Sequence, residues 1–266
     1  MDNDLIYAYC ILNCLPEEEE NVTKTEEINF LQINEYYVGY KLVSSDDFSG
    51  ENLKKNLSNT IWLERNKRHH INMISSIMRY HPVIPLKFGT IFPTRESLDK
   101  FIDDYSASLA RNFHTISGKE EWAVKIYCDK RVLREKMLEL SEEVVTLEKH
   151  ILESSPGKAF LLSLKRTELI EQEVILFMRK KGQQCFDEYK VICYESHLNN
   201  LYPRELTGRQ EDMILNANFF VNKENVGLFI YLANRQESEC HSLGFSFEVT
   251  GPWPPFNFIL LEKAYN

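Results

Sequence analysis

The chain has 266 residues, 43% of them hydrophobic and 27% charged, a composition typical of a folded globular protein with room for two modest domains. Its net charge of −9 at pH 7 argues against bulk nucleic-acid binding, which depends on neutralising phosphates with Lys and Arg. No apolar run reaches the roughly 18 residues that a membrane span requires, so the sequence predicts an intracellular, cytoplasmic protein without a membrane partner.

The first half of the chain alternates between strand and helix patterns. Its first apolar run has no polar face, which is typical of a central strand covered on both sides. The predicted elements are strands at 5–12, 28–33, 36–45 and 83–94, an acidic loop at 16–27, a turn at Asn34 and Glu35, a loop through Asp46, Asp47 and Gly50, a helix at 60–81 stopped by Pro82, and a helix capped by Thr94 and ended by Gly118.

The second half begins with another strand and then becomes helical. Apolar residues from Leu133 to Ile151 step by 4, 3, 4, 3, 4, the spacing of a packed helical seam. The predicted elements are a strand at 120–129, a helix at 133–151, a break at 154–157, a helix from 158 to about 181, a strand at 213–221, a helix at 223–236 and a strand at 243–250. Residues 182–209 give no clear pattern.

These patterns predict the α+β class, with two domains of split-βαβ type and mixed or antiparallel sheets. The expected domains are residues 1–119 and residues 120–266, the second containing a helical hairpin and a proline-rich C-terminal tail. In the tail, we expect the last strand to end at Gly251 and the following prolines to form a stiff corner. We expect the side chain of Trp253 to pack against the domain and hold this corner in place. Direct partner contact by Trp253 is the alternative.

A search for chemistry finds no catalytic constellation. Glycine-rich phosphate loops, a nucleophile elbow and zinc-protease spacing are absent from the sequence. Cys185, Cys193 and His197 come nearest to a ligand cluster, but their spacing favours ordinary burial. His69 and His70 point about 100° apart on a helix and cannot share one metal ion. The sequence therefore predicts no catalytic, cofactor or metal site, and it favours a binding or assembly protein.

One stretch is locally basic. Arg65, Lys67, Arg68 and two histidines crowd together with only Glu64 opposing them. A local phosphate or nucleic-acid contact is one interpretation, but a solvated helix face explains the pattern better in an acidic chain.

Five stretches, taken together, resemble the gas vesicle protein L/F family (GvpL/GvpF). They are YAYCIL at 7–12, PLKFGTIF at 85–92, EEWAVKIYCD at 120–129, SPGKAFL at 155–161 and FEVTGPWPPFNF at 247–258. Small departures are Lys87 for a frequent Arg, Phe256 for a frequent Tyr and Cys10 for a frequent Gly.

The resemblance implies two α+β domains, the C-terminal one ferredoxin-like, and an accessory or minor structural protein of the gas vesicle. It further implies binding to the hydrophobic shell protein GvpA and other accessory proteins during nucleation and assembly, no enzymatic activity and no cofactor. Because unassembled shell subunits carry apolar, strand-forming surface that is prone to aggregate, we expect such binding to prevent shell-protein aggregation. The alternative is a small-molecule-binding α+β domain pair, catalytic or not, which a deep polar pocket with convergent titratable groups would favour.

Candidate partner-binding residues lie in the basic helix, the PLKFGTIF segment and the tail. They are Arg65, Arg68, Lys87, Phe88, Gly89, Thr90, Gly251, Pro252, Trp253, Pro254 and Pro255. For Gly89 and Phe88 the structural interpretation, a backbone bend and a core side chain, is favoured over direct contact.

Overall fold

The computed structural model describes residues 4–15 and 28–263, so the acidic loop expected at 16–27 lies outside the described residues. The chain forms two compact units. Unit 1 contains the described residues up to Glu121 and those from Pro252 onwards, and unit 2 contains Trp122–Gly251. Each unit combines helices with its own antiparallel sheet, which confirms the α+β class.

The helices and strands follow the chain in this order. They are β1 (Asp4–Leu12), β2 (Asn29–Ile33), β3 (Tyr36–Ser44), α1 (Ser45–Phe48), α2 (Gly50–Leu57), α3 (Thr60–Met78), β4 (Ile84–Pro85), β5 (Ile91–Phe92), α4 (Arg95–Ile116), β6 (Lys119–Cys128), α5 (Lys130–Leu140), α6 (Glu142–Leu152), α7 (Pro156–Ile192), β7 (Glu195–Leu198), α8 (Arg204–Thr207), β8 (Asp212–Asn222), α9 (Val226–Cys240) and β9 (Phe245–Trp253).

Unit 1 is built around β1. The sheet order is β2-β3-β1-β4, and the short β5 also pairs with β1. Residues 7–12 of β1 are all buried, as expected for a strand covered on both faces. The turn between β2 and β3 is also confirmed, because Asn34 has a φ of 54°, a conformation that Asn tolerates better than most residues.

The loop expected through Asp46, Asp47 and Gly50 was wrong, since two short helices, α1 and α2, occupy this region. The Ser44 hydroxyl caps α1 by accepting a hydrogen bond from the Asp46 amide at 3.1 Å. Both aspartates lie in the first turn, where negative charge is favourable for a helix. These polar residues start a helix, although their composition is also that of a loop.

Unit 2 has the βαββαβ connectivity of a ferredoxin-like fold. Its strands β6, β7, β8 and β9 are arranged as β7-β8-β6-β9. The first helical position is expanded to three helices, α5, α6 and α7, and α9 takes the second position. The core lies between the helices and one sheet face, where Tyr189, Phe219 and Phe229 pack with ring centroids 5.0–5.6 Å apart.

The helices of unit 2 differ from expectation at two places. The single helix expected at 133–151 is broken at Ser141, whose buried hydroxyl caps α6 by accepting from the Val144 amide at 3.3 Å. The next helix continues beyond Lys181 to Ile192, because Cys185, Phe186 and Tyr189 extend its buried face. Much of the stretch that gave no pattern is therefore helix.

The C-terminal tail also departs from expectation. Strand β9 does not end at Gly251 but runs to Trp253. After the prolines the chain turns at residues 256–258, with the Phe256 amide donating to the Pro254 carbonyl at 2.7 Å. Residues from Pro252 belong to unit 1, whereas the sequence pattern predicted that they belong to the C-terminal domain.

Candidate partner-binding site

The K-F-G-T sequence forms a turn that interrupts an edge strand. Strands β4 and β5 both pair with β1, and between them the chain turns through Lys87–Thr90, closed by the Thr90 amide donating to the Lys87 carbonyl at 3.0 Å. Gly89, the third residue of this turn, has the φ of 82° that a type II turn requires. A Cβ there would meet nothing within 4 Å, so the backbone conformation, and not close packing, calls for glycine.

A buried hydrogen-bond network holds this turn against β1 and α3. The Leu86 carbonyl can only accept, so the His70 Nε2, 2.9 Å away, must be the donor. His70 Nδ1 then accepts from the Tyr7 hydroxyl at 2.9 Å, and the same hydroxyl accepts from the Gly89 amide at 3.1 Å. The geometry fixes the histidine tautomer. These four residues are called the Tyr7–His70 network below.

Burial controls the protonation of this network. His70 is only 2% exposed, and burial lowers the pKa of its imidazole from 6.5 to about 4, although its hydrogen bond to the Leu86 carbonyl acts in the opposite direction. Burial likewise raises the pKa of the Tyr7 hydroxyl. Both groups are neutral at neutral pH, as the assigned donors and acceptors require.

Aromatic rings surround the network and join three of the five sequence stretches. Tyr7 comes from YAYCIL, Phe88 from PLKFGTIF and Phe256 from the tail, and all three approach His70, with ring centroids 5.6, 5.7 and 6.4 Å from the imidazole. Trp62 of α3 lies 6.2 Å from Phe88. The patterns that looked separate in sequence therefore build one cluster in unit 1.

Polar side chains fasten the tail within unit 1. Asn112 of α4 donates to the Leu260 carbonyl at 2.8 Å and accepts from the Leu260 amide at 3.3 Å, as a neighbouring strand would. Ser108 also donates to the Leu260 carbonyl, at 2.9 Å. The buried Glu121 carboxylate accepts from the amide and the side chain of Asn257, at 3.1 and 2.5 Å. Hence the tail forms an integral part of unit 1.

The predicted partner-binding residues divide into exposed and buried groups. The exposed ones are Arg65, Arg68, Lys87, Gly251, Pro252 and Trp253. Phe88, Gly89 and Thr90 are half-buried, and Pro254 and Pro255 are buried. Because Phe88 lies against Trp62 and His70 of α3, the turn adjoins the helix that carries Arg65 and Arg68.

The structure places the residues that the sequence raised as possible metal ligands. Within the described ranges, no three His, Cys, Asp or Glu side chains are arranged to hold a metal ion. Cys185 is buried, which raises the pKa of its thiol to about 12, while Cys193 is half-buried and His197 is exposed.

Two surface grooves of about 290 and 340 Å³ are lined mainly by apolar atoms. None of the described helices combines the length and apolar character that crossing a bilayer requires.

One exposed region was missed by the sequence analysis. No residue from 145 to 169, the distal half of the α6–α7 hairpin, is buried. It nevertheless carries large apolar side chains: Leu152 is 79% exposed, Phe160 63%, Leu161 65% and Leu164 57%. Residues 145–169 are called the distal hairpin below. The sequence feature that could have indicated this region is the SPGKAFL stretch, because it contains Phe160 and Leu161 in the first two turns of α7, which starts at Pro156.

Comparisons with known proteins agree with this architecture. The family model described as gas vesicle synthesis protein GvpL/GvpF matches residues 5–259. Gas vesicle protein L of a Streptomyces strain is 22% identical over 81% of this chain and 77% of its own length, and gas vesicle protein F of a Nostoc strain is 27% identical over 62% and 65%. The crystal structure of GvpF from Anabaena is similar over 99% of both chains, with a TM-score of 0.71 and 17% identity. That of GvpF from Microcystis aeruginosa covers 97% of this chain and 100% of its own, with a TM-score of 0.65 and 17% identity.

The two-unit α+β fold, with its ferredoxin-like second unit, is thus shared with gas vesicle proteins. Since the family model matches nearly the whole chain, the chain belongs to the gas vesicle GvpL/GvpF family. This membership supports an accessory role in gas vesicles.

Proposed function

We propose that this protein binds the hydrophobic shell protein GvpA and other accessory proteins while the gas vesicle wall assembles, keeps the shell protein from aggregating, and performs no chemistry. The protein then acts at the gas vesicle in the cytoplasm. The observation that carries the proposal is the apolar surface of the distal hairpin in a member of a gas vesicle family.

The distal hairpin suits a partner that must hide apolar surface from water. Phe160 and Leu164 are one helical turn apart and lie on the same side of α7, with Leu161 beside them and three residues before Leu164. Exposed groups of large apolar side chains mark interaction sites more often than they mark ordinary surface. A shell subunit that must form a water-excluding wall is expected to carry exposed apolar surface before assembly. The net charge of −9 favours solubility of such a complex.

The proposal also covers the exposed partner-binding residues predicted from sequence. We assign Arg65, Arg68 and Lys87 to contacts with other accessory proteins, because apolar wall subunits offer charged side chains little. The exposed Trp253 is assigned to a partner contact because aromatic side chains are enriched at interfaces. Pro254 and Pro255, being buried, act by shaping the tail and not by direct contact.

Co-expression with GvpA and affinity capture tests the proposal. The wild-type chain is expected to retain GvpA, and the triple variant Phe160→Ser, Leu161→Ser, Leu164→Ser is expected to lose it and to leave more GvpA in the insoluble fraction. Leu206→Ser is the matched control, because Leu206 is equally exposed in unit 2 but lies on α8. Failure of the wild-type chain to capture GvpA would end the proposal, and unchanged capture by the triple variant would exclude the hairpin as the contact.

A further inference from the structure

The arginines of this chain divide unequally between those with and without a carboxylate partner. Eight of the twelve arginines pair with an Asp or Glu among the described residues. In an acidic chain such pairing is unsurprising, since guanidinium groups fit carboxylates well. The remaining four arginines form no ion pair within the described part of the chain. Three of these four are in or next to α3: Arg65 and Arg68 lie within the helix, and Arg79 is its C-cap residue.

These three arginines lie on one side of the helix. Successive helical residues turn by 100°, so positions 61, 65, 68, 72 and 79 all fall within about 60° of one another. We call Ile61, Arg65, Arg68, Asn72 and Arg79 the outer stripe of α3. All five are exposed, and Ile61 is 82% exposed.

The opposite side of α3 fixes the stripe in place. His70, Met73, Ile74 and Ile77 are buried against the sheet of unit 1. The second half of the helix is therefore anchored by buried side chains, and in the first half the half-buried Trp62 packs against Phe48 and Phe88. Between Arg65 and Arg79 the helix rises about 21 Å, which is the length of about four turns.

We propose that the outer stripe of α3 binds an acidic segment of a partner protein, with carboxylates spread over about 21 Å and an apolar residue placed to meet Ile61. This inference rests on the proposed assembly role, for which it names the chemistry of one partner. Among the described residues, eight of the other nine arginines pair with carboxylates of this chain, whereas these three are left available to a partner. Carboxylates three or four residues apart on a partner helix match the spacing of Arg65 and Arg68.

A nucleic acid fits this surface less well. Affinity for a phosphate backbone grows with the number of phosphates neutralised, and three arginines neutralise few. An exposed Ile61 at one end of the stripe also suits a protein segment better than a phosphate backbone.

Fluorescence anisotropy with the full chain tests the inference at low salt. The probe is a labelled helical peptide of about 18 residues, built from Ala and Glu with one Leu near an end, and a peptide with Gln for every Glu serves as the uncharged control. Wild-type protein is expected to bind the acidic peptide and not the Gln peptide. The triple variant Arg65→Gln, Arg68→Gln, Arg79→Gln is expected to bind about tenfold more weakly, from three exposed charge pairs.

A matched variant separates the stripe from general charge. Arg179→Gln, Lys180→Gln, Lys190→Gln removes the same charge from exposed positions of α7 that have no ion pair among the described residues. It is expected to bind the acidic peptide as the wild type does. Equal weakening by both triple variants, no weakening by the stripe variant, no binding by the wild type, or equally tight binding of single-stranded DNA would each overturn the inference.

The test stands apart from that of the shell-protein contact. The hairpin variant Phe160→Ser, Leu161→Ser, Leu164→Ser is expected to bind the acidic peptide normally. Loss of GvpA capture without loss of peptide binding, or the reverse, therefore shows which of the two proposals has failed.

Discussion

The Tyr7–His70 network and the distal hairpin use large side chains in opposite ways. In the network, every polar atom of Tyr7 and His70 has an assigned partner, and aromatic rings enclose both residues. In the distal hairpin no residue is buried, although Leu152, Phe160 and Leu161 are as apolar as core residues. The polar groups of one region are satisfied within the chain, and the other region leaves large apolar side chains exposed.

The five sequence stretches also differ in whether they build the two units or lie exposed on the surface. YAYCIL, PLKFGTIF, EEWAVKIYCD and much of the tail supply strands, a turn and buried rings. SPGKAFL lies in the distal hairpin and exposes Phe160 and Leu161. Most of the resemblance to the family therefore reflects how the two units are built, whereas SPGKAFL leaves two large apolar side chains, Phe160 and Leu161, exposed.

The largest expected effect concerns acid and the network. The pKa of His70 is about 4 in the folded chain and 6.5 in the unfolded chain. Between pH 6.5 and 4, His70 is therefore protonated in the unfolded chain but neutral in the folded chain. The fold is therefore expected to lose up to about 3 kcal/mol as the pH falls from 6.5 to 4, and nothing more from His70 below that. Urea unfolding at a series of pH values measures this loss.

Two histidine variants isolate the contribution of His70. His70→Gln is expected to be less stable at pH 7 but to show a flatter acid dependence, because the titrating group is gone. His69→Gln, at the exposed neighbouring position, is expected to keep the wild-type acid dependence. If His70→Gln lost stability in acid as steeply as the wild type, the network would not be the acid-sensitive element.

The second prediction compares a Tyr→Phe substitution in unit 1 with a Tyr→Phe substitution in unit 2. Tyr7→Phe leaves the Gly89 amide and His70 Nδ1 without their partner and is expected to cost about 2 kcal/mol. The Tyr189 hydroxyl, in the core of unit 2, is buried without a hydrogen-bond partner among the described residues. Tyr189→Phe keeps the ring contacts with Phe219 and Phe229 and is expected to be neutral or stabilising by up to about 1 kcal/mol.

Thermal unfolding of both tyrosine variants checks the opposite signs. A destabilised Tyr189→Phe would mean that its hydroxyl is satisfied, and an unaffected Tyr7→Phe would mean that the turn does not depend on the network. Either result would weaken the contrast between the hydrogen-bonded hydroxyl of Tyr7 in unit 1 and the Tyr189 hydroxyl of unit 2, which has no partner among the described residues.

Much of the fold follows from periodicity in the sequence. The buried strand β1, helix α4 with its Thr94 cap and the strand β8 all come from local patterns that tertiary packing reinforces. The break at Ser141 was not visible, because the 4, 3, 4, 3, 4 spacing of apolar residues continues across it. One serine in a helical pattern does not reveal whether its hydroxyl caps a new helix or faces solvent.

The candidate sites were harder to predict than the fold. Tyr7 lies 63 residues from His70 and 82 residues from Gly89, so nothing local links the members of the network. Nor does periodicity tell a packed apolar stripe from an exposed one, which is why the seam through Leu147 and Ile151 gave no sign of the distal hairpin. Only the tertiary structure decides which helical faces find a partner within the chain.

A third prediction contrasts the packed half of α7 with open helix surface. A Cβ on Gly182 would lie 2.8 Å from the Ile214 carbonyl oxygen of β8, so the helix or the strand must shift to accept it. Gly182→Ala is expected to destabilise unit 2 by about 1 to 2 kcal/mol despite the better helix propensity of Ala. Gly227→Ala, where a Cβ meets nothing within 4 Å, is expected to stabilise α9 by about 0.5 kcal/mol. Equal shifts in the urea midpoints of the two variants would contradict this close approach.

The smallest expected effect on stability belongs to the distal hairpin, and it is the most informative about function. Leu161→Ser removes an apolar side chain that is 65% exposed, so it is expected to change the free energy of unfolding by less than about 0.5 kcal/mol. Tyr7→Phe is expected to show the reverse pattern, with lower stability but normal GvpA capture below its unfolding temperature. Urea unfolding and GvpA capture, measured in parallel on these two variants, would distinguish residues that stabilise the fold from residues that bind GvpA. Loss of stability in Leu161→Ser would instead assign the hairpin leucines to the fold, because only a side chain packed within the chain can stabilise it when no partner is present.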